Sequence, residues 1–139
     1  MKEKIFIDTD IILDLILKRE NFESAATLFS LVEENKIDGY VSSLIFSNLF
    51  YILRKNIGIE KTRHLLLKLK KLLNILNVDE KIIIQALESN YKDFEDAIQY
   101  YCVINNRIKI IITRNIEDFK NKKDITALRA DEYLKIIQD

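Results

Sequence analysis

Cysteine, histidine, proline and glycine are all scarce in this chain of 139 residues. The single cysteine, Cys102, excludes an internal disulfide, and its place on the apolar face of a predicted helix favours a role in the core. With one histidine, His64, expected to be structural or exposed, an ordinary zinc site is excluded as well. Proline is absent and only two glycines are present, and no linker, repeat or low-complexity tract is visible. Length and composition therefore predict one globular domain over residues 1–139.

Neither sign of charge is in excess, because 22 basic and 22 acidic residues cancel. Proteins that simply coat nucleic acid usually carry a basic excess, since neutralisation of phosphate drives that binding. A neutral total leaves nucleic-acid binding open if the charges are segregated. Basic residues do cluster in two segments, each of which is either a solvated face or a binding patch. The first contains Lys61, Arg63, Lys68, Lys70 and Lys71, and the second contains Lys120, Lys122 and Lys123.

Long hydrophobic runs are missing too. No run approaches the roughly 20 apolar residues that a membrane-spanning helix needs. The first residues, MKEKIFIDTD, lack the pattern of a secretory signal peptide. Hydrophobic residues nevertheless make up 48% of the chain, which is enough for a sizeable core. These features predict a cytoplasmic protein without a membrane segment.

Hydrophobic patterns predict strands and helices in alternation. The predicted strands cover 4–7, 39–42, 74–78, 108–112 and 124–127, and the predicted helices cover 24–35, 44–55, 60–73, 79–88, 93–105 and 131–137, with a further helix starting at Ile11. The clearest strand is 108–112, where isoleucine fills every position but one. The strands are apolar rather than alternating between apolar and polar residues. This pattern predicts an α/β fold with a parallel sheet covered by helices on both faces.

Carboxylates follow the first predicted strand directly, in the stretch KIFIDTDIILDLI. In open parallel sheets, ligands bind outside the carboxyl ends of the strands, which is where Asp8 stands. We therefore interpret Asp8 as a site residue in preference to a turn or cap residue. Asp10 is predicted to be the N-cap of the following helix. Asp14 is the weakest candidate of the three and is expected to be a supporting or surface residue.

A second group of acids opens the helix before the isoleucine-rich strand, in KDFEDAIQYY. Asp93 and Asp96 are three residues apart, so they share a helix face and can point at one site. Asp93 and Glu95 are also explained as first-turn acids that complement the helix dipole. Asn115 and Asp118 follow the isoleucine-rich strand at its carboxyl end. Asp118 is either part of the same site or an ordinary surface acid.

Convergent carboxylates have a definite chemistry. They repel each other unless a cation lies between them or one of them takes up a proton. Hard oxygen ligands suit Mg²⁺ or Mn²⁺. An ion held in this way suits phosphate chemistry, because it lowers the pKa of a bound water and stabilises charge on phosphoryl oxygens. A covalent route is not indicated, since the sequence has no G-x-S-x-G, P-loop or G-x-G-x-x-G motif and no Cys–His pairing.

Four segments in this order resemble the PIN domain family, and more narrowly its small prokaryotic members of VapC type. The segments are IFIDTDIILDL, GYVSSLIFSNLFYILRK, KDFEDAIQYYCV and IIITRNIEDF, and the resemblance extends over roughly residues 4–135. It implies a three-layer α/β/α fold around a parallel sheet. It also implies a Mg²⁺- or Mn²⁺-dependent endoribonuclease that is the toxin of a toxin–antitoxin pair. The implied partners are an RNA substrate, a cognate antitoxin and a second copy of the chain in a homodimer.

The resemblance also implies roles for individual residues. The first acid of the family corresponds to Asp8, and the neighbouring Ser or Thr that helps to hold the acids corresponds to Thr9. The acid that starts the D-A helix corresponds to Asp96, with Asp93 as an accessory residue. Asp8 and Asp96 are therefore the implied metal ligands.

Two further parts of the family pattern leave questions open. The element T-x-[DN]-x-x-D-F corresponds to Thr113, Asn115 and Asp118, and the sequence does not decide whether Asn115 or Asp118 faces the metal. The second acid of the family, usually a glutamate on the helix after the second strand, falls at Asn48. Asparagine keeps an oxygen ligand but loses the charge, which favours weaker metal binding.

Three other functions fit parts of this pattern. A haloacid-dehalogenase-like phosphatase also has a D-x-D motif after a strand, but it requires Thr or Val in place of Ile12 and a lysine after a later strand. A receiver domain requires a phosphoacceptor Asp after a middle strand and a lysine after a later one, and neither is clear here. A PIN fold that binds RNA or a partner protein without cutting stays open because of Asn48 and the neutral net charge.

Overall fold

Short strands and helices alternate along the chain in a computed structural model that describes residues 2–120 and 122–138. The strands in this part of the chain are β1 (Glu3–Ile7), β2 (Ile37–Ser42), β3 (Asn74–Leu76), β4 (Ile110–Ile112) and β5 (Thr126–Leu128). The helices are α1 (Thr9–Ile16), α2 (Phe22–Glu33), α3 (Leu44–Ile57), α4 (Ile59–Leu72), α5 (Glu80–Glu88), α6 (Phe94–Asn105) and α7 (Ala130–Ile137). A short 3₁₀ helix, Ile116–Phe119, follows β4.

The strands form one parallel sheet in the order β3-β2-β1-β4-β5. β1 is central and pairs with β2 and β4, so that Ile5 lies opposite both Gly39 and Ile110. Since all the strands run in the same direction, their carboxyl ends share one edge of the sheet. The parallel sheet predicted from the apolar strands is confirmed.

Helices cover both faces of this sheet. Successive side chains of a strand point to opposite faces, and in β1 Ile5 and Ile7 enter one core while Phe6 enters the other. The first core is completed by α1, α2, α3, α4 and α7. The second core is completed by α5 and α6. The fold is therefore the expected three-layer α/β/α arrangement.

The prediction that Asp10 caps the first helix is wrong, because Asp8 is the cap. Helix α1 begins at Thr9, whose backbone N–H donates to Asp8 Oδ1 at 2.7 Å. The backbone N–H of Asp8 donates to the Ile112 carbonyl at 2.9 Å. Strand pairing thus continues to Asp8 and the helix starts at once, which leaves Asp10 in the first helical turn.

The strands on the β4 side are shorter or shifted relative to the predictions. The predicted strand 108–112 is reduced to Ile110–Ile112, because the backbone N–H of Ile108 donates to the Val103 carbonyl at the end of α6. The predicted strand 124–127 corresponds to Thr126–Leu128. These differences move strand ends by one to two residues and leave the sheet order unchanged.

The rare residues noted in the sequence occupy ordinary structural positions. Cys102 on α6 is fully buried in the second core, and His64 is exposed on α4, in agreement with the expectations for both. Gly58 separates α3 from α4 with a φ of 89°, a backbone conformation that favours glycine. Among the helices of residues 2–120 and 122–138, none is long and apolar enough to cross a membrane.

The packing of α3 on the sheet gives a first test of this core. Leu49 is fully buried, so Leu49→Ala should lower the free energy of unfolding by about 2–5 kcal/mol through the cavity that it leaves. Leu67 on α4 is 62% exposed, and Leu67→Ala should change the same quantity by about 0.5 kcal/mol or less. Urea unfolding followed by circular dichroism measures both variants. Equal effects of the two substitutions would contradict this assignment of the core.

Candidate acidic active site

Polar side chains from several elements surround a cleft at the carboxyl edge of the sheet. The cleft has a volume of about 690 Å³. It brings together all but one of the site residues selected from the sequence, namely Asp8, Thr9, Asn48, Asp93, Asp96, Asn115 and Asp118. The remaining one, Thr113, is fully buried and contacts Asp8 directly. The structure therefore collects residues that are up to 110 positions apart at one edge of the sheet, as Asp8 and Asp118 are.

Asp8 is held in one orientation by three donors. Its Oδ2 accepts a hydrogen bond from Thr113 Oγ1 at 2.8 Å, and its Oδ1 accepts from Gln99 Nε2 at 3.0 Å and from the Thr9 backbone. The carboxylate is nearly buried, since Asp8 is only 8% exposed. Thr9 contributes its backbone N–H to this arrangement, and the hydroxyl that contacts Asp8 is that of Thr113.

Asp10 faces the same site from the first turn of α1. Its Oδ2 accepts from the backbone N–H of Arg114 at 3.2 Å and from Asn115 Nδ2 at 3.4 Å. Its Oδ1 is buried and has no hydrogen-bond partner among the described residues. Burial, followed by the charge of Asp8, raises the pKa of Asp10 to about 7.

Asp14 is buried, so of the two positions expected for it, supporting or surface, the surface position is excluded. The side chain is 0% exposed, and its Oδ1 accepts a hydrogen bond from the Arg114 guanidinium at 3.1 Å. This ion pair, in which the Arg114 side chain is 40% exposed, attaches the segment after β4 to α1. Its physical reason is the short distance between the ends of β1 and β4, which are neighbours in the sheet.

The start of α6 contributes the second group of acids. Asp93 is the N-cap, and its side chain accepts from the backbone N–H of Asp96 at 3.0 Å. Asp96 lies in the first turn of α6 and lines the cleft. Burial and then the charges of Asp118, Asp93 and Asp8 raise the pKa of Asp96 to about 7. Asp118 belongs to the 3₁₀ helix after β4 and lines the same cleft. Like charges from different elements thus lie close together in the cleft.

Asn48 reaches the cleft from α3 and contacts a residue that sequence reasoning did not select. Its Nδ2 donates to Glu95 Oε1 at 2.6 Å, and both side chains line the cleft. Gln99, which holds Asp8, was also missed. The only sequence signal for these two residues is their place in EDAIQ. Glu95 lies one position before Asp96, and Gln99 lies three positions after it. Since residues three apart share a helix face, that spacing places Gln99 on the face of Asp96.

The donors of this cleft fit Mg²⁺ or Mn²⁺ by their chemistry, because they are carboxylate and amide oxygens. Gln99 is only 6% exposed, and its Oε1 has no partner among the described residues. A buried acceptor of this kind is expected to have a ligand or a water. In residues 2–120 and 122–138, the side chains of His, Cys, Asp and Glu do not form a ready group of three around a single cation position. The chemical type of these donors therefore suits Mg²⁺ or Mn²⁺.

One of the two basic segments lies beside the cleft. Lys122 Nζ is 4.4 Å from the ring centre of Tyr91 and 5.4 Å from that of Tyr100. Lys122 and Tyr91 border a depression of about 580 Å³ that shares Asp93, Asp96 and Asp118 with the acidic cleft. The other basic segment lies on α4, where its lysines and arginine are exposed to solvent.

The fold and the site together define a class: three-layer α/β/α proteins with an acidic cleft at the carboxyl edge of a parallel sheet. The family model described as PIN domain matches residues 4–117, and the chain belongs to the PIN domain family. It is 29% identical to Ribonuclease VapC1 of Aquifex aeolicus (strain VF5), in an alignment that covers 94% of this chain and 93% of that protein. The resemblance to PIN proteins of VapC type is confirmed.

Solved structures show the same fold at lower sequence identity. A toxin–antitoxin complex from Klebsiella pneumoniae matches with a TM-score of 0.66 and 24% identity, over 88% of this chain and 95% of that chain. Mycobacterium tuberculosis VapC20, described as a sarcin-ricin loop cleaving toxin, matches with a TM-score of 0.67 and 14% identity, over 85% and 95%. VapBC2 from Rickettsia felis, bound to a DNA fragment from its promoter, matches with a TM-score of 0.65 and 16% identity, over 91% and 98%.

The raised pKa values of Asp10 and Asp96 predict a pH dependence of stability. Each group has a pKa of about 7 in the fold and 3.8 when unperturbed, so the folded state binds protons more tightly. The free energy of unfolding should therefore fall as the pH rises from about 4 to about 7. Asp96→Asn should remove part of this fall and raise the melting temperature at pH 8 in the presence of a chelator.

Thermal unfolding at several pH values measures this effect. Glu20→Gln, which neutralises an exposed acid before α2, is the control and should follow the wild-type pH dependence. If Asp96→Asn and the wild type show the same pH dependence, the proposed repulsion among the cleft carboxylates is wrong.

Proposed function

We propose that this protein is a divalent-metal-dependent endoribonuclease that hydrolyses RNA phosphodiester bonds as the toxin of a type II toxin–antitoxin pair. The observation that carries the proposal is the acidic cleft of a PIN domain in which Asp8 and Asp96 face the same space. The similarity to Ribonuclease VapC1 supports RNA as the substrate class. Lys122, beside the cleft, supports it as well, because a cation at this position suits a phosphate backbone.

Asp8 and Asp96 are the proposed ligands of Mg²⁺ or Mn²⁺. Bound there, the ion would lower the pKa of a water and stabilise charge on the phosphoryl oxygens. Thr113 and Gln99 hold the Asp8 carboxylate in one orientation, which keeps it preorganised for an ion. Asp93 sets the start of α6 and thereby the position of Asp96.

Asp118 is the proposed third acid, in preference to Asn115. Asp96 and Asp118 line both the acidic cleft and the depression beside it, and after burial the charge of Asp118 is the largest cause of the raised pKa of Asp96. Asn115 instead donates its backbone N–H to Thr113 Oγ1 at 3.0 Å and points its amide nitrogen at Asp10. We assign Asn115 to supporting this end of the site.

One observation favours a second candidate function. Asn48 leaves the α3 side of the cleft without the charge that the family pattern has there. A PIN-fold module that binds RNA or a partner protein without cutting is therefore the alternative. It differs from the nuclease in one measurable respect, which is the absence of metal-dependent cleavage.

Cleavage of a pool of cellular RNAs by the purified protein tests the nuclease proposal. With Mg²⁺ or Mn²⁺, the wild type should produce discrete fragments, and a chelator should prevent them. Asp96→Asn should reduce the rate by at least about 100-fold, because it removes a charged metal ligand. Calorimetry with Mn²⁺ should show a site in the wild type that is lost in Asp8→Asn.

Circular dichroism controls for folding of both variants, and Glu20→Gln should cleave like the wild type. The nuclease proposal fails if the wild type and Asp96→Asn leave identical RNA patterns under every metal condition. Binding of RNA without cleavage by the wild type would favour the alternative module.

We further propose that residues 1–139 form one domain, and that the protein is cytoplasmic, forms a homodimer and binds a cognate antitoxin. Exposed apolar side chains support an association, among them Ile59 at 55%, Leu87 at 68% and Ile136 at 61% exposure. Light scattering should therefore give about twice the chain mass of 16.4 kDa. A mass of one chain at all concentrations tested would exclude the homodimer.

A further inference from the structure

Glu95 makes a contact that its position in α6 does not explain. It lies in the first turn of α6, immediately before Asp96. A favourable interaction with the helix dipole accounts for an acid in that turn. Adjacent residues of a helix point in different directions, so helical geometry alone does not direct Glu95 toward the point that Asp96 faces. Another interaction has to bring the side chain into the cleft.

Asn48 supplies that interaction from the opposite side. Its Nδ2 lies 2.6 Å from Glu95 Oε1, although the two residues are 47 positions apart in the chain. An ionised carboxylate only accepts hydrogen bonds, so the amide nitrogen of Asn48 must face Glu95 and its Oδ1 must point away. The contact fixes one oxygen of Glu95 and leaves Oε2 outside it.

The charge of Glu95 adds to an unfavourable concentration of carboxylates. Asp8, Asp93, Asp96 and Asp118 line the same cleft. The ion pairs formed within residues 2–120 and 122–138 do not include Glu95. Carboxylates brought together in this way repel each other, and a cation between them removes the repulsion.

A separate observation in this cleft also points to a cation. Gln99 is 6% exposed and uses its Nε2 to hold Asp8. Its Oε1 is buried and has no partner among the described residues. An unpaired buried acceptor is unfavourable, and a hard cation or its bound water is a suitable partner.

We propose that Glu95 is a further anionic residue of the divalent-cation site and that Asn48 is a positioning residue that holds it over the cleft. The inference rests on the proposed metal-dependent function and deepens it. The α3 residues that line the cleft are Ser47, Asn48, Tyr51 and Ile52, and none of them carries a charge at neutral pH. Glu95 thus delivers a negative charge to the α3 side of the cleft from α6.

Calorimetric titration with Mn²⁺, on full-length protein without RNA, measures this role independently of activity. Glu95→Gln should weaken Mn²⁺ binding by about tenfold or more, as expected for a group that tunes a metal site. The matched control is Glu80→Gln, which removes an exposed first-turn acid from α5, outside the cleft, and should leave the affinity unchanged. The exchange variant Asn48→Glu with Glu95→Gln returns the charge from α3 and should restore most of the affinity.

A double-mutant cycle isolates the positioning role of Asn48. Asn48→Ala should weaken Mn²⁺ binding when Glu95 is present, and it should have little further effect in the Glu95→Gln background. Melting temperatures in chelator report folding, and Glu95→Gln should not fall below the wild type because it removes a repelling charge. Additive effects of Asn48→Ala and Glu95→Gln would overturn the positioning role.

The outcomes separate this inference from the proposed function. If the wild type and Glu95→Gln bind Mn²⁺ with affinities within about twofold of each other, Glu95 is not part of the site, while the metal-dependent function stands. If the wild type does not bind Mn²⁺, the proposed function and the role of Glu95 fail together. Weak binding by Glu95→Gln that is recovered in the exchange variant supports both.

Discussion

The hydrogen bonds around Asp8 join three parts of the chain at one point of the sheet. Its backbone N–H extends the pairing of β1 with β4, and its carboxylate accepts from Thr113 after β4 and from Gln99 on α6. An ionised carboxylate in an almost buried position is stable only when its oxygens are satisfied in this way. The relative positions of β1, β4 and α6 are therefore linked to the orientation of one side chain. The arrangement of the cleft depends on that link.

The same cleft opposes stability through its charge. Burial and neighbouring carboxylates raise the pKa of both Asp10 and Asp96 to about 7, which shows how unfavourable their ionised forms are in the folded protein. The Arg114 guanidinium pairs with buried Asp14 at the end of the site. Cations in contact with the central carboxylates would cancel the negative potential that attracts a divalent ion. Arg114 does not line the cleft, and its charge offsets only part of the rise in the pKa of Asp10.

The accuracy of the sequence predictions depends on the range of the interactions involved. Apolar strands such as Ile110–Ile112 were recognisable because burial on both faces requires apolar side chains at successive positions. Asp8, Asp96 and Asp118 were recognisable because they follow strands or open a helix at predictable places. Asp10 was misassigned as a cap, because the sequence does not show that pairing with β4 ends at Asp8 and lets α1 start immediately. The choice between a supporting and a surface position for Asp14 stayed open for a similar reason, since its partner Arg114 is 100 positions away.

Gln99 and Glu95 show most clearly the limit of prediction from sequence. In the sequence they are an ordinary helical glutamine and a first-turn acid, and local propensity explains both. Their partners, Asp8 and Asn48, are 91 and 47 positions away and become neighbours only when α6 packs against the sheet opposite α3.

The sequence alone determined the order of strands and helices, the parallel sheet, the PIN resemblance and the edge of the sheet at which the acids gather. These properties follow from local hydrophobic patterns and from the rule that parallel strands end at a common edge. Only the tertiary structure decided which side chains hold Asp8 and that Asn48 contacts Glu95. A hydrogen bond requires donor and acceptor to be about 3 Å apart within a few tenths of an ångström, and no local pattern encodes such a distance between segments far apart in the chain.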